Sequence, residues 1–167
     1  MFYRKSQFRL LVAIVGSMAM FFAAPAGAAE TLDFYITTVH VDGKTNIHGD
    51  ANHPPEAFPL NQSSQGPGVA LTPPDATGAW KIRTFIFEPA QIIAREGDHI
   101  RLHFVGVQGA HHTIKVIGEG VDAHLQLDRG YVKTVDIPSV KTGTINIICD
   151  DHQPTMNAQV IVLPAAG

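Results

Sequence analysis

The sequence predicts an all-β protein, a Greek-key β-sandwich or barrel, on two observations. Apolar segments rich in β-branched and aromatic residues are short, and turns containing glycine, proline or aspartate separate them. No segment of useful length has the apolar period of an amphipathic helix, and no internal repeat is present. Residues 99–105 show the strand pattern most clearly, because Ile100, Leu102 and Phe104 fall on one face and polar residues on the other.

Residues 1–29 have the pattern of a secretory signal peptide. A basic start that contains Arg4, Lys5 and Arg9 is followed by an apolar stretch and then by small residues up to Ala29. The alternative is an uncleaved N-terminal anchor helix, but the apolar stretch is short for a membrane span of about 20 residues. We therefore expect a periplasmic or secreted protein with no membrane span in the mature chain. The rest of the chain has the length of a single domain.

The strands of this domain follow from the apolar segments in chain order. Residues 30–79 are predicted to hold one N-terminal strand, at residues 33–41, and then a long loop rich in proline and glycine at residues 42–78 that contains no strand. Residues 80–167 are predicted to form the core region. Its strands are expected at residues 80–87, 91–94, 99–105, 111–117, 131–137, 142–149 and 158–163, with residues 122–130 as a connecting loop.

The chemistry is concentrated in one segment near the C-terminus, which contains the chain's single cysteine. Cys149 is followed by His152 and Met156. A free thiol would be a liability in an oxidising compartment, whereas a bound metal holds the sulfur as thiolate. Two histidines, one cysteine and a weakly bound methionine form the blue-copper ligand set. One more histidine is therefore needed. Nucleophilic catalysis by a Cys–His pair would leave Met156 without a role.

The alternation of side chains along a strand identifies that histidine, because residues two apart share a face. His112 is in phase with the apolar residues of its strand, whereas the neighbouring His111 falls on the opposite face. Cys149 and Met156 likewise extend apolar stripes of the strands on either side of their loop. We therefore predict a metal site at one end of the sandwich, with His112, Cys149, His152 and Met156 as ligands.

Four pieces of the sequence also carry a resemblance to a known family. They are Phe87-x-Pro89-x-x-Ile92, Glu96-Gly97-Asp98, His112-Thr113-Ile114 and Cys149-x-x-His152-x-x-x-Met156-x-Ala158-x-Val160. Together they cover residues 80–163, about half of the chain, and they resemble the cupredoxins, the type 1 blue-copper proteins. The resemblance implies a Greek-key sandwich that binds one copper ion, cycling between Cu(I) and Cu(II), through the four ligands predicted above.

The chain departs from the family pattern at two positions beside the ligands. Thr113 follows the first histidine where small electron carriers of the family often have asparagine, and Ala158 stands where glycine is common. Residues 83–107 also resemble nitrosocyanin, a relative with a red copper centre. In that relative a glutamate takes the first ligand position and no methionine completes the site. His112 and Met156 therefore favour an ordinary type 1 centre here.

Ligands fixed on a rigid β scaffold suit one-electron transfer, so we expect an exported electron carrier rather than an enzyme. Alternatives are a copper storage or delivery protein, or a nitrosocyanin-like copper protein that acts on nitrogen oxides. His40, His48 and His53 flank the long loop and could form a second metal site or supply an extra ligand, although solvation in a loop is the preferred interpretation. Asp150 and Asp151, if close to the metal, should lower its reduction potential.

Charge and surface residues set the expectations for partners. The net charge of the whole chain is −3, and it becomes −6 without the three basic residues of the signal peptide. This charge gives no support to nucleic-acid binding, which needs a basic patch. A redox partner protein is expected instead. Val107, Ala110 and Pro154 are predicted to offer it an apolar docking patch around His152.

Overall fold

The structure, a computed structural model, describes residues 31–60 and 66–166. Within these ranges the chain forms ten β-strands and one short 3₁₀ turn, which confirms the predicted all-β class. No helix in the described ranges is long and apolar enough to cross a membrane. The strands are β1 (Thr31–Asn46), β2 (Val69–Thr72), β3 (Ala79–Glu88), β4 (Gln91–Arg95), β5 (His99–Val105), β6 (His111–Gly118), β7 (Val121–Asp128), β8 (Val132–Ile137), β9 (Gly143–Cys149) and β10 (Asn157–Leu163), and the 3₁₀ turn is Asp150–His152.

The strands form two five-stranded sheets. Sheet A has the order β2-β3-β1-β5-β8, and sheet B has the order β4-β10-β9-β6-β7. The β6–β7 hairpin belongs to sheet B, while β5 before it and β8 after it pair antiparallel in sheet A. This return of the chain to its starting sheet is a Greek-key connection. The predicted Greek-key sandwich is therefore confirmed.

The core between the sheets is built from alternating residues of every long strand. In β5, Ile100, Leu102 and Phe104 are fully buried, and the histidines and arginine between them point outward, as the sequence predicts. Full burial of one such side chain stabilises the fold by about 1.5–3 kcal/mol. Phe87 of β3 meets Phe104 edge to face, with ring centroids 6.2 Å apart. Both rings belong to sheet A, and buried residues of sheet B such as Ile114 and Ile147 complete the same core cluster.

Two regions that the sequence analysis assigned to loops form strands. The N-terminal strand continues to Asn46, and residues 69–72 form β2 within the segment predicted to hold no strand. Residues 121–128 form β7, where a connecting loop was predicted. Both β2 and β7 lie at sheet edges, and each pairs with only one neighbour. Their conformation comes from that pairing more than from a strong apolar run, so local sequence underestimated them.

The N-terminal half of the chain belongs to the same sandwich as the core region. Residues 31–37 of β1 pair in parallel with β5, and residues 37–46 pair antiparallel with β3. The short β2 pairs with the middle of β3. This arrangement brings the turn before β2 against the loop between β9 and β10, where Gly68 N–H donates to the Gln153 carbonyl at 3.0 Å. The predicted signal peptide, residues 1–29, lies outside the described residues.

Candidate metal centre

Three of the four predicted ligands meet at one end of the sandwich, which we call the metal end. The Cys149 Sγ lies 3.7 Å from Nδ1 of His112 and 3.5 Å from Nδ1 of His152. The three ligand atoms are all within 4.8 Å of one another. In the described part of the chain no other group of three histidine, cysteine or acidic side chains comes this close.

Strand ends position the cysteine and the first histidine. Cys149 is the last residue of β9 and His112 is the second residue of β6, and both side chains are fully buried. The two strands pair antiparallel with Cys149 opposite Ile114, so His112 lies two residues beyond that pair on the same face. The ligand atoms are therefore held by the packing of the core. The phase argument that selected His112 is consistent with this arrangement.

His111 points the other way, as its phase predicts. Its imidazole is exposed and lies 2.8 Å from an Asp128 carboxylate oxygen. That carboxylate raises the pKa of His111, mainly through the hydrogen bond. One residue of difference along the strand thus separates a surface ion pair from a buried ligand.

The spacing of the three groups suits a metal ion. Bonds of about 2.0–2.1 Å to nitrogen and about 2.3 Å to sulfur, as for zinc, separate nitrogen from sulfur by about 3.5–3.8 Å at tetrahedral to trigonal angles. The observed separations of 3.7 and 3.5 Å are close to this range. A thiolate with two imidazoles is a donor set that copper and zinc accept, and with a weak axial thioether it is the set of blue-copper sites. The residues present therefore fit copper.

The tautomer of His112 is fixed by a backbone carbonyl. Its Nε2 lies 2.7 Å from the Gln108 oxygen, and because a carbonyl only accepts, Nε2 must carry the hydrogen. The lone pair of Nδ1 then faces the Cys149 sulfur. The Gln108 carbonyl is itself held by the Thr38 hydroxyl, which donates to it at 3.0 Å from β1. Such outer hydrogen bonds orient a metal-binding imidazole and raise its basicity.

Burial sets the protonation of the three groups. It raises the pKa of the Cys149 thiol to about 11. It lowers the pKa of His112, and burial together with the neighbouring His112 lowers that of His152. At neutral pH both imidazoles are therefore neutral, as ligation requires, whereas the thiol must lose its proton when a metal binds.

The backbone of Met156, the fourth predicted ligand, is hydrogen-bonded to the backbone of two of the other three. Its N–H donates to the His152 carbonyl at 3.1 Å, and its own carbonyl accepts from Cys149 N–H at 3.0 Å. Its side chain is fully buried, in phase with the buried Ala158 and Val160 of β10. The inward stripe predicted for this strand is confirmed, and ligation by the thioether remains a prediction.

Glycines allow the backbone to approach both histidines. A Cβ on Gly109 would lie 2.6 Å from Nε2 of His112, and the residue has a φ of +84° that favours glycine. A Cβ on Gly68 would collide with the His152 carbonyl oxygen and lie 2.6 Å from the Thr155 hydroxyl. Neither glycine was singled out from the sequence, because their role depends on contacts with distant residues.

The two aspartates between the loop ligands have different partners. Asp150 forms an ion pair with Lys115 at 2.6 Å. The Asp151 carboxylate accepts the Thr113 N–H at 2.5 Å, which ties the ligand loop to β6. Burial alone would raise the pKa of Asp151, but the hydrogen bonds from Thr113 outweigh it and lower the pKa. At position 113 the loop is therefore bound to the strand through the backbone N–H of Thr113 and the side chain of Asp151.

Phe85 of β3 is a further residue that the sequence analysis missed. Its ring stacks on the His152 imidazole with centroids 4.0 Å apart and planes inclined by 25°. The His40 ring makes an edge contact with Phe85, with ring centroids 5.6 Å apart. Sequence alone gave no signal for Phe85, since it is one aromatic residue among several in a predicted strand.

The other histidines lie outside the site. His40, His48 and His53 do not join a second metal-binding group in the described residues, so the alternative of a second site or an extra ligand is not supported there. His40 and His53 each contact an aspartate, at 3.1 and 3.0 Å. His124, which the sequence analysis placed in a loop, belongs to β7 and pairs with Asp122.

Comparison with known proteins finds matches among solved structures only. No protein-family model and no curated protein matches the chain. Solved structures do match, among them a heme-copper terminal oxidase chain, with 17% identity over 46% of this chain and a TM-score of 0.40. A multi-copper oxidase from Pseudomonas thermotolerans is 14% identical over 84% of this chain, with a TM-score of 0.48. Auracyanin A, a "blue" copper protein from Chloroflexus aurantiacus, is 11% identical over 79% of this chain and 98% of its own, with a TM-score of 0.41.

The matched lengths limit what can be transferred from these proteins. This chain spans 56% of the terminal oxidase chain and 31% of the multi-copper oxidase. The function of this chain must therefore be inferred from the residues of the metal end.

Proposed function

We propose that this chain is an exported, mononuclear copper protein of the cupredoxin type that carries single electrons between partner proteins. One observation supports this most directly: a buried cysteine lies 3.7 and 3.5 Å from the free nitrogens of two histidines, at the end of a rigid sandwich. We assign His112, Cys149 and His152 as the strong ligands and Met156 as the weak axial one. A bound copper ion would supply the one-electron couple between Cu(I) and Cu(II).

The protein's contribution is to hold the ligands still. Cys149 and His112 are fully buried at strand ends, and the Nε2 hydrogen of His112 is bound to the Gln108 carbonyl. The loop that carries His152 is tied to β6 through Asp151 and Thr113. A ligand set fixed in this way changes little between the two oxidation states, and small rearrangement is what rapid electron transfer requires. The same burial keeps water away from the sulfur.

The surface around His152 is suited to brief contact with a redox partner. Val107, Ala110 and Pro154 are exposed near the metal end, as the sequence analysis predicted for a docking patch. His152 itself is partly exposed, whereas His112 is fully buried. We therefore assign electron exit to His152. Small apolar patches of this kind support weak, short-lived complexes rather than permanent ones.

Burial argues against copper delivery as the main role. A delivery protein must surrender its metal to another protein, which calls for accessible ligands, and Cys149 and His112 are both at 0% exposure. Action on nitrogen oxides, as in a nitrosocyanin-like protein, would need an open position on the metal. Met156 ending a buried stripe beside the site favours a closed one.

Optical and EPR spectra of the copper-loaded protein test this proposal. A type 1 centre should give an intense thiolate-to-copper charge-transfer band in the visible range and a narrow copper hyperfine splitting. Cys149→Ala should abolish the band while the protein remains folded by circular dichroism. A weak, broad spectrum from the wild-type protein, or an intense band that survives in Cys149→Ala, would refute the assignment.

A further inference from the structure

The two ligand histidines are held by different means. Nε2 of His112 donates to a backbone carbonyl, whereas Nε2 of His152 has no hydrogen-bond partner among the residues that the structure describes. His152 also lies at the end of a three-residue 3₁₀ turn, outside any strand. The other contacts of this ring are the Cys149 sulfur, 3.5 Å from Nδ1, the tilted ring of His112 at 4.9 Å and, from sheet A, the ring of Phe85 at 4.0 Å. Only the Phe85 ring stacks on a face of the imidazole.

We propose that Phe85 and Gly68, which we call the clamp, position His152 and retain the metal on the loop side of the site. This inference rests on the proposed copper function and assigns a role to the N-terminal half of the chain. Phe85 covers one face of the imidazole at 4.0 Å with planes nearly parallel, so it restricts rotation of the ring about its Cβ–Cγ bond. Edge contact with His40 at 5.6 Å holds the Phe85 ring in turn.

Gly68 joins the clamp to the ligand loop through the backbone. Its carbonyl accepts from Phe85 N–H at 2.9 Å and from the Thr155 hydroxyl at 2.9 Å. Its N–H donates to the Gln153 carbonyl at 3.0 Å. A single residue thus connects β3, which carries the stacking ring, to Gln153 and Thr155 in the loop just after His152.

This connection requires a residue without a side chain. A Cβ at position 68 would collide with the His152 carbonyl oxygen and would lie 2.6 Å from the Thr155 hydroxyl oxygen. The glycine is therefore needed for close approach. Replacement by alanine should push the ligand loop away from β3 and weaken the stacking of Phe85 on His152.

The first arm of the test uses the metal-free protein, so it does not depend on copper. Stacking under a phenyl ring displaces the carbon-bound imidazole protons upfield in a proton NMR spectrum. The His152 signals should therefore lie upfield of those of His124, whose side chain is 58% exposed and lies against an aspartate. In Phe85→Leu this displacement should disappear, and in Phe85→Tyr, which keeps a ring, it should persist.

The second arm measures the transfer of Cu(I) from the protein to the chelator bathocuproine disulfonate. Phe85→Leu should release copper about two- to tenfold faster than wild type, the ratio expected for loss of one stacked aromatic pair. Gly68→Ala should also speed copper release, because it pushes the ligand loop away from β3. Tyr35→Leu is the matched control, because Tyr35 stacks on His103 at 4.6 Å on the outer face of sheet A, away from the metal end. Its release rate should equal that of wild type.

The outcomes separate the clamp from the proposed function. Wild-type His152 protons at ordinary positions would overturn the clamp, even if a Phe85 variant fails to fold. Equal release rates for Phe85→Leu, Gly68→Ala and wild type would also overturn it. A wild-type protein that binds no copper would refute the proposed function, and the NMR arm would still decide whether Phe85 orients His152.

Discussion

The histidines of this protein fall into two regions with opposite surroundings. On the outer faces of the sheets and in surface turns, six of the nine histidines lie within 3.1 Å of an aspartate oxygen. At the metal end, His112 and His152 instead face the Cys149 sulfur. The six are His40, His53, His99, His103, His111 and His124.

The contrast shows how one residue type is given two functions. A carboxylate beside an imidazole favours its protonated form, and the pKa of His111 is raised in this way. Burial without a carboxylate partner favours the neutral form, and the pKa of His112 is lowered. Only a neutral imidazole has the lone pair that binds a metal. The surface residue His111 is thus favoured in its charged form, and the buried His112 is kept in the neutral form that can bind a metal.

The largest expected effect comes from exchanging the two adjacent histidines for alanine one at a time. His112→Ala removes a strong ligand, so the intense visible band should be lost. Copper affinity should fall by more than about 100-fold, because loss of a residue that only hydrogen-bonds to a ligand already costs about 10- to 100-fold. His111→Ala should leave both unchanged, because that side chain faces Asp128. Chelator competition and visible absorption measure the two quantities. Similar losses of affinity and absorption in His111→Ala and His112→Ala would contradict the distinction between surface histidines and those of the metal end.

The next effect concerns Met156, whose role as an axial ligand is still a prediction. Met156→Leu conserves volume in the core, so the free energy of unfolding should fall by less than about 1.5 kcal/mol. Copper should still bind, but the reduction potential should rise, because a donor to Cu(II) is removed. Voltammetry and urea unfolding measure the two changes. An unchanged potential and spectrum would show that Met156 serves only the core.

Strand phase explains why the proposed ligands could be selected from the sequence and why the residues around them could not. His112, Cys149 and Met156 continue apolar alternations within their own strands, so each was identified from local sequence. Phe85 and Gly68 act on His152 across 67 and 84 positions of the chain, and nothing in their local sequence marks those contacts.

The fold shows the same limit. Strands with a strong alternation, such as β5, were predicted at the positions where they form. The edge strands β2 and β7 were missed, since each is made by pairing with one neighbour. Strands that depend on pairing with distant segments could therefore not be predicted from the pattern of successive residues.

Metal binding should release protons, and the number released depends on which of the predicted ligands are protonated. Because the Cys149 thiol has a pKa of about 11 and both histidines have lowered pKa values, only the thiol carries a displaceable proton at pH 7. Copper loading should therefore release about one proton per ion at pH 7. Below the pKa values of the histidines the number should increase and the affinity should fall. A pH indicator in weakly buffered solution measures the release, and loading without proton release would contradict a thiolate ligand.

The smallest effect distinguishes the two aspartates of the ligand loop. The Asp151 carboxylate lies close enough to the site to raise the pKa of Cys149 and to interact with both histidines. A negative charge there favours Cu(II), so Asp151→Asn should raise the reduction potential by on the order of 50 mV, while the amide oxygen still accepts the Thr113 N–H.

Asp150→Asn is the matched control for that charge. Asp150 is paired with Lys115 at 2.6 Å and is partly exposed, so its removal unmasks a positive charge in solvent and should shift the potential less. Voltammetry of both variants at low and high salt measures the difference, and the Asp151 effect should fall less at high salt because that carboxylate is partly buried and bound to the Thr113 N–H. Equal shifts for the two variants would mean that the loop acts through its net charge. A larger shift for Asp151→Asn would show that the potential depends on the position of the charge beside His112 and His152 and not only on the net charge of the loop.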